Sequence, residues 1–260
     1  MHISVIIPAA GGSTRFGDRD KLAEDLRGRP VLNRTVELFA KRDEFQSIVV
    51  AGPNDPATFD AFKFRFGDTL GLLGATVCRG GTGERHKTVR AALEHVPDET
   101  THIAVHDGAR PCTPREVVDR VLDAIHQFDA VIPAIPVTDT LKQLSEDDVA
   151  GEVDPLDAIL GDAGKTNAGF QSVQATVPRD RLVAVQTPQV FEASLLRRAY
   201  EQDDLSSTDD AGLIERLGER VVVVDGDPRN LKITTPMDLV IARAILDERG
   251  EAAKAARAML

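Results

Sequence analysis

The chain has 260 residues, 42% of them hydrophobic, and a formal net charge of -11. That length and apolar content suffice for a buried core in one large α/β domain with an insertion or in two small domains, and one domain with an arm is the favoured reading. The negative balance argues against a nucleic-acid or anionic-membrane surface, which needs a broad basic face, so any polyanionic ligand must meet locally clustered Arg and Lys.

Ile3–Ile7 reads as a first strand, and it breaks directly into Pro8, Ala9, Ala10, Gly11, Gly12, Ser13, Thr14 and Arg15, with Lys21 close behind. Glycines let backbone N–H groups converge on an anion without a Cβ in the way, and Arg15 and Lys21 supply the countercharge a triphosphate needs. The run has neither the spacing of G-x-G-x-x-G nor a G-K-[ST] ending, which sets aside a Rossmann dehydrogenase and a P-loop NTPase. Standing alone, it reads equally as an ordinary strand-to-helix turn.

Pro30 suits the first turn of a helix over Val31–Arg42, with Val31, Leu32, Thr35, Val36, Leu38 and Phe39 on one side and Asn33, Arg34 and Glu37 on the other. Ser47–Ala51 and Ala75–Cys78 read as strands. After the second comes Gly80-Gly81-Thr82-Gly83-Glu84-Arg85-His86-Lys87-Thr88, a glycine turn opening a helix over Glu84–His95. Its backbone and the Thr88 hydroxyl suit the edge of a base, and its small residues let a flat ring lie close.

A strand over Thr101–Val105 runs into His106, Asp107, Gly108, Ala109 and Arg110. Ligands of open α/β sheets bind at the carboxyl ends of strands. That makes Asp107 a Mg²⁺ ligand beside phosphates, or else a cap for the turn that follows. His106 is the tempting acid–base candidate, but a strand end favours a structural role. A helix over Pro114–Gln127 and a strand over Ala130–Pro133 complete the alternating βαβ rhythm of a parallel sheet.

The rhythm breaks between Val137 and Gln186. Ser145–Gly169 is rich in Asp, Gly and Ala and has no clean period, while Gln171–Val177 and Val183–Gln186 look extended, which predicts an antiparallel arm with a long flexible excursion. Leu156, Ile159 and Leu160 form either a short helix in that excursion or an apolar spot on a loop. Helices are expected over Glu192–Glu201, Asp209–Leu217 and Pro236–Arg249. A strand and turn near Asp225–Arg229 precede Lys232, which suits a point charge on a phosphate. Asp227 reads as a second metal-facing carboxylate or as a turn former. The organisation expected is a single domain over residues 1–250, with the arm at about 137–186, and an Ala-rich tail over 251–260 that frays or continues the last helix.

Cys78 and Cys112 are the only cysteines, with no C-x-x-C pair and no Cys/His set at zinc spacing, so neither a disulfide scaffold nor a structural metal is expected and a reducing cytoplasm suits the chain. No signal peptide is expected, because Ile3 already begins a strand, and no apolar run approaches a membrane span.

Taken in order, P-A-A-G-G-S-T-R-F with Lys21, G-G-T-G-E-R-H-K-T-V, V-H-D-G-A-R-P, P-V-T-D-T-L-K, V-Q-T-P-Q-V-F, S-T-D-D-A and N-L-K-I-T-T-P-M-D-L resemble the 2-C-methyl-D-erythritol 4-phosphate cytidylyltransferase family over about residues 3–245. The resemblance implies a Rossmann-like nucleotidyltransferase fold, a three-layer α/β sandwich with a mainly parallel sheet and a protruding β-arm used in homodimerisation. It implies transfer of CMP from CTP to 2-C-methyl-D-erythritol 4-phosphate in the cytoplasm, with Mg²⁺ or another divalent cation and pyrophosphate as the second product.

By the same resemblance Ala9, Ala10, Gly11 and Gly12 form the CTP loop, Arg15 and Lys21 the triphosphate-binding pair, and Lys232 a third phosphate-side cation. Asp107 looks like the metal-associated aspartate, and Arg110, Thr140, Arg179 and Thr208 match positions that hold the methylerythritol phosphate. Gly81, Arg85 and Thr88 match the cytosine block, with the backbone of Thr82 and Gly83 facing the base. Thr88 stands where serine is common, Gly108 where alanine is common, and the arm loop between Lys142 and Gln174 is longer than usual. A cytidylyltransferase for another polyol phosphate, such as ribitol 5-phosphate, is the near alternative; a sugar nucleotidyltransferase or a non-catalytic nucleotide-binding protein lies further off.

Overall fold

The computed structural model describes residues 1–11, 16, 19–149 and 170–258. Gly12 and Arg15 of the opening loop, and Leu156, Ile159 and Leu160 of the arm, lie outside the described residues. The chain divides into two compact units, Met1–Ile135 with Val185–Leu260, and Pro136–Ala184.

In chain order the strands are β1 (Ile3–Pro8), β2 (Phe45–Gly52), β3 (Ala75–Arg79), β4 (His102–Val105) and β5 (Ala130–Pro136), then β6 (Leu141–Val149), β7 (Phe170–Val177), β8 (Val183–Val185), β9 (Gln189–Glu192) and β10 (Val222–Asp225). The helices are α1 (Val31–Ala40), α2 (Pro56–Leu72), α3 (Arg85–Leu93), α4 (Arg115–Ala124), α5 (Ala193–Ala199), α6 (Ala211–Arg216) and α7 (Pro236–Ala258). Residues 251–258, read from the sequence as a tail, continue α7.

The larger unit is built on a sheet ordered β10-β5-β9-β4-β1-β2-β3. Neighbours pair in parallel except at β9, which runs antiparallel to both β4 and β5. Successive side chains of a strand point to opposite faces, and this sheet is covered on both. Val5, Ile7, Val50 and Ala104 enter one apolar core with α1, α2, α4 and α7. Ile6, Val49, Ala51, Ile103 and Val105 enter a second core with α3, α5 and α6. The result is an α/β sandwich of three layers with a mainly parallel sheet.

Helix α2 was not legible in the sequence, because Phe62, Phe64 and Phe66 alternate and blur the helical period. In the fold Phe62, Phe66 and Leu70 are buried at four-residue spacing while Phe64 is exposed. α2 packs so closely on β2 that a Cβ at Gly52 would lie 2.9 Å from the Phe62 ring. Two residues of α1 are placed differently from the expectation, one of them by α2. Asn33 and Glu37, expected on the solvent side, are buried: Asn33 Nδ2 donates to Thr69 Oγ1 of α2 at 2.7 Å, and Glu37 pairs with Arg29 and Lys41.

The smaller unit contains the antiparallel hairpin β6–β7, registered from Leu141 opposite Val177 to Val149 opposite Phe170, with irregularities on either side of Leu144. Strand β6 therefore extends through Ser145–Val149, where an excursion was expected to begin. Pairing across the hairpin imposes extended backbone on a segment whose own composition carries no strand period.

Candidate active site

Strand order reverses at β1, which lies between β2 and β4, and the loops leaving the carboxyl ends of β1, β2, β3 and β4 meet above this switch point. The loop after β1 starts under restraint, since Ala9 N–H donates to Ala51 O at 2.7 Å. After β2, Asn54 Nδ2 donates to the Gly80 carbonyl at 2.7 Å and holds the glycine turn that follows β3. That turn lies against the start of α3, where a Cβ on Gly81 would come within 2.4 Å of the Lys87 backbone.

These loops enclose a cavity of about 630 Å³. Pro8, Ala10, Gly11 and Lys21 line one part of it, Gly81, Thr82, Gly83, Arg85 and Thr88 another, and Asp107, Gly108, Ala109 and Lys232 a third. Ala9 is buried rather than part of this lining. Residues Pro53 to Pro56 and Thr58 complete the wall. They carry no motif that the sequence analysis could single out.

A second cavity, of about 260 Å³, is lined by Arg85, Asp107, Arg110, Gln186, Thr187, Gln189, Thr208 and Lys232 among others. Arg85, Asp107 and Lys232 line both cavities, so the two share a charged wall.

Asp107 is the centre of that wall. Its Oδ2 lies 3.1 Å from Lys232 Nζ and accepts a hydrogen bond from Arg110 Nε at 3.1 Å, and its Oδ1 lies 3.7 Å from Arg85 Nε. Burial by itself raises the Asp107 carboxyl. Lys232, Arg85 and Arg110 outweigh it and hold the group well below the usual carboxylate range. Hydrogen bonds to main-chain carbonyls assemble the cluster from distant segments. Ile233 N–H donates to Ala109 O at 2.8 Å, which docks Lys232 beside the end of β4, and Arg110 Nη1 donates to Asn230 O at 2.7 Å. Asn230 is fully buried and donates in turn to Thr187 O at 2.8 Å.

His106 is fully buried next to Asp107, edge-on to Phe39. Its Nε2 donates to Arg110 O at 3.2 Å, which leaves Nδ1 to accept from the Thr187 hydroxyl at 3.0 Å. The same hydroxyl oxygen accepts from Asp107 N–H at 3.1 Å. Burial pushes the imidazole down to about 4, so it is neutral and holds the Asp107 loop in shape. No local sequence signal gives Thr187 this role; it arises from the folded loop.

Asp227 is not brought to Asp107. It lies in the turn after β10, where its carboxylate accepts from Arg229 N–H at 2.7 Å and pairs with the Arg229 guanidinium at 2.6 Å, and it lines neither cavity. Thr140 and Arg179 belong to the smaller unit, where both are exposed and Arg179 donates to the Thr138 carbonyl. Among the described residues no cluster of three or more His, Cys, Asp or Glu is arranged to hold a metal ion.

The sequence profile of the IspD family, 2-C-methyl-D-erythritol 4-phosphate cytidylyltransferase, matches residues 3–155 and 156–248. A protein of that name from Rhodococcus jostii is 40% identical over 95% of this chain and 96% of its own length, and one from Frankia casuarinae is 38% identical over 94% and 81%. The crystal structure of 2-C-methyl-D-erythritol 4-phosphate cytidylyltransferase from Thermus thermophilus is 31% identical and superposes with a TM-score of 0.67 over 94% of this chain and 98% of that one. With these matches spanning the sheet, both cavities and the hairpin, the chain belongs to the 2-C-methyl-D-erythritol 4-phosphate cytidylyltransferase family and is a nucleotidyltransferase.

Proposed function

We propose that the chain transfers CMP from CTP to 2-C-methyl-D-erythritol 4-phosphate, giving 4-diphosphocytidyl-2-C-methyl-D-erythritol and pyrophosphate. The observation that carries this reading is the pair of cavities sharing the wall of Arg85, Asp107 and Lys232. The larger has the volume and glycine-rich backbone for a nucleoside triphosphate, and the smaller, with Arg110 and Thr208, suits a phosphorylated polyol.

The chemistry is an in-line displacement. An acceptor phosphate oxygen attacks the α-phosphorus of CTP, a P–O bond forms, the bond from the α-phosphorus to the bridging oxygen breaks, and pyrophosphate leaves with that electron pair. No general base is needed, because the attacking oxygen is already anionic. A buried neutral His106 is consistent with that. What the reaction needs is relief of repulsion between two polyanions, which we assign to Lys21, Lys232 and Arg15. The cytosine would lie against Gly81, Thr82, Gly83 and Thr88, which line the larger cavity.

A divalent cation such as Mg²⁺ fits at Asp107, whose ionised carboxylate lines both cavities, since Mg²⁺ is commonly held by one or two carboxylates with phosphate oxygens and water. When bound it would neutralise charge on the phosphates. Asp227 lines neither cavity, so the proposal gives it no part as a second ligand. Homodimerisation through the hairpin belongs to the same proposal, supported by the exposed Leu144, Phe170 and Val173. So does a cytoplasmic location, supported by two buried thiols; among the described residues no helix is long and apolar enough to cross a membrane.

Incubation with CTP, Mg²⁺ and 2-C-methyl-D-erythritol 4-phosphate should yield the cytidylylated polyol and one equivalent of pyrophosphate, read by mass spectrometry and phosphorus NMR. Absence of both products from folded protein contradicts the proposal.

A further inference from the structure

We propose that Asp210, with the hydroxyl of Tyr200, is a positioning residue for the transfer reaction: it anchors Arg85 from behind the shared wall and so keeps Asp107 aligned with Lys232 and Arg110. The inference rests on the reading that this wall is where transfer takes place.

The observations are independent of the cluster at Asp107. The Asp210 side chain is 0% exposed, lies at the start of α6, and lines neither cavity. Its Oδ2 is 2.7 Å from Arg85 Nη2, and its Oδ1 accepts from Tyr200 Oη at 2.5 Å. Burial first, and then the Asp210 charge, push the Tyr200 phenol well above its usual range, so the hydroxyl stays a donor. The segment is pinned to β9, because Gln189 Oε1 accepts from Ala211 N–H at 3.1 Å and Gln189 Nε2 donates to Asp209 Oδ2 at 2.8 Å.

A buried carboxylate is costly unless it is paired, and here its partner is Arg85, which lines both cavities. Arg85 is thereby divided: Nη2 faces Asp210, and Nε faces Asp107 at 3.7 Å. Without Asp210 the guanidinium is free to close fully on Asp107 or on an incoming phosphate, which pulls the Asp107 carboxylate off Lys232. Loss of the anchor therefore changes the alignment of the reacting groups more than it changes the cavity that binds CTP. Its effect belongs in kcat rather than KM.

The experiment measures kcat, KM for CTP and thermal midpoint for Asp210→Asn, Tyr200→Phe, Arg85→Gln and the double variant Asp210→Asn with Arg85→Gln, with Lys232→Ala as reference. We expect kcat to fall about 30-fold in Asp210→Asn and roughly 3- to 10-fold in Tyr200→Phe, with KM for CTP within about threefold of wild type. In the Arg85→Gln background Asp210→Asn should cost less than about threefold more, because both changes remove one coupled unit. A purely structural role would move the midpoint and leave the two losses in kcat multiplicative. Wild-type kcat in folded Asp210→Asn or in Tyr200→Phe, or multiplicative losses, overturns the inference; if Asp210→Asn does not fold, Tyr200→Phe decides. If those variants are unimpaired while Lys232→Ala is inactive, the inference alone fails. An active Lys232→Ala removes the reading of the wall itself.

Discussion

Lys232 Nζ lies 3.1 Å from Asp107 Oδ2, joining the segment before α7 to the end of β4 across the shared wall of two cavities. The ion pair leaves Lys232 41% exposed, so the ammonium can serve phosphates without a large desolvation cost. Replacing it by Ala should lower kcat/KM by about 10²–10³-fold, the equivalent of roughly 3–4 kcal/mol of transition-state stabilisation. The fold should persist, because Arg110 and Arg85 still face Asp107. Steady-state kinetics with a circular-dichroism melt checks both halves; an unchanged rate removes Lys232 from the mechanism.

His106 makes stability depend on pH with a definite sign. Its folded value of about 4 lies below the ordinary 6.5, so the unfolded chain takes up a proton between those limits that the folded chain refuses. The stability is fully present above about pH 6.5 and falls progressively as pH drops toward 4, by on the order of 3 kcal/mol over the whole window. His102, also shifted down, first by burial, acts in the same direction, so the informative quantity is the difference between proteins. Thermal midpoints of wild type and His106→Gln, measured from pH 7.5 to 4.5, should show a shallower decline in the variant. Parallel curves would contradict the assignment.

Thr187 holds two groups with one oxygen, donating to His106 Nδ1 and accepting from Asp107 N–H. Thr187→Val keeps the shape and orphans both partners in a buried site, which should cost about 1–3 kcal/mol by urea denaturation. A loss below roughly 0.5 kcal/mol would show that these bonds are replaceable.

The hairpin carries a cross-strand apolar pair, Leu144 opposite Val173, exposed to 47% and 56%. If this face joins two copies of the chain, Leu144→Asp combined with Val173→Asp should shift the mass measured by light scattering from dimer toward monomer at micromolar concentration. A dimer that survives both changes rejects this face as the contact.

Much of the sheet was legible because β1, β2 and β4 carry short, mainly apolar runs that pass directly into small or charged residues, a pattern that a strand buried on both faces imposes. The candidate site was legible where its residues follow strand ends, as Lys21 follows β1, Gly81 follows β3 and Asp107 follows β4. Helix α2 was hidden by its alternating phenylalanines, and β9 by being only four residues long and antiparallel in a parallel setting. Asn33 was misread because α2, hidden in the sequence, packs on it, and Glu37 because its pairing with Arg29 and Lys41 leaves no local trace. The roles of Thr187, Asn230 and Asp210 depend on hydrogen bonds between segments far apart in the chain. No local pattern encodes such bonds.

The measurement that tests the central claim most directly is the rate of pyrophosphate release from CTP and Mg²⁺ with 2-C-methyl-D-erythritol 4-phosphate or ribitol 5-phosphate as acceptor, with Lys21→Ala as the control. The account predicts turnover with methylerythritol phosphate, little or none with ribitol phosphate, and its loss in Lys21→Ala. Preference for ribitol phosphate, or no turnover with either acceptor by folded protein, would contradict it.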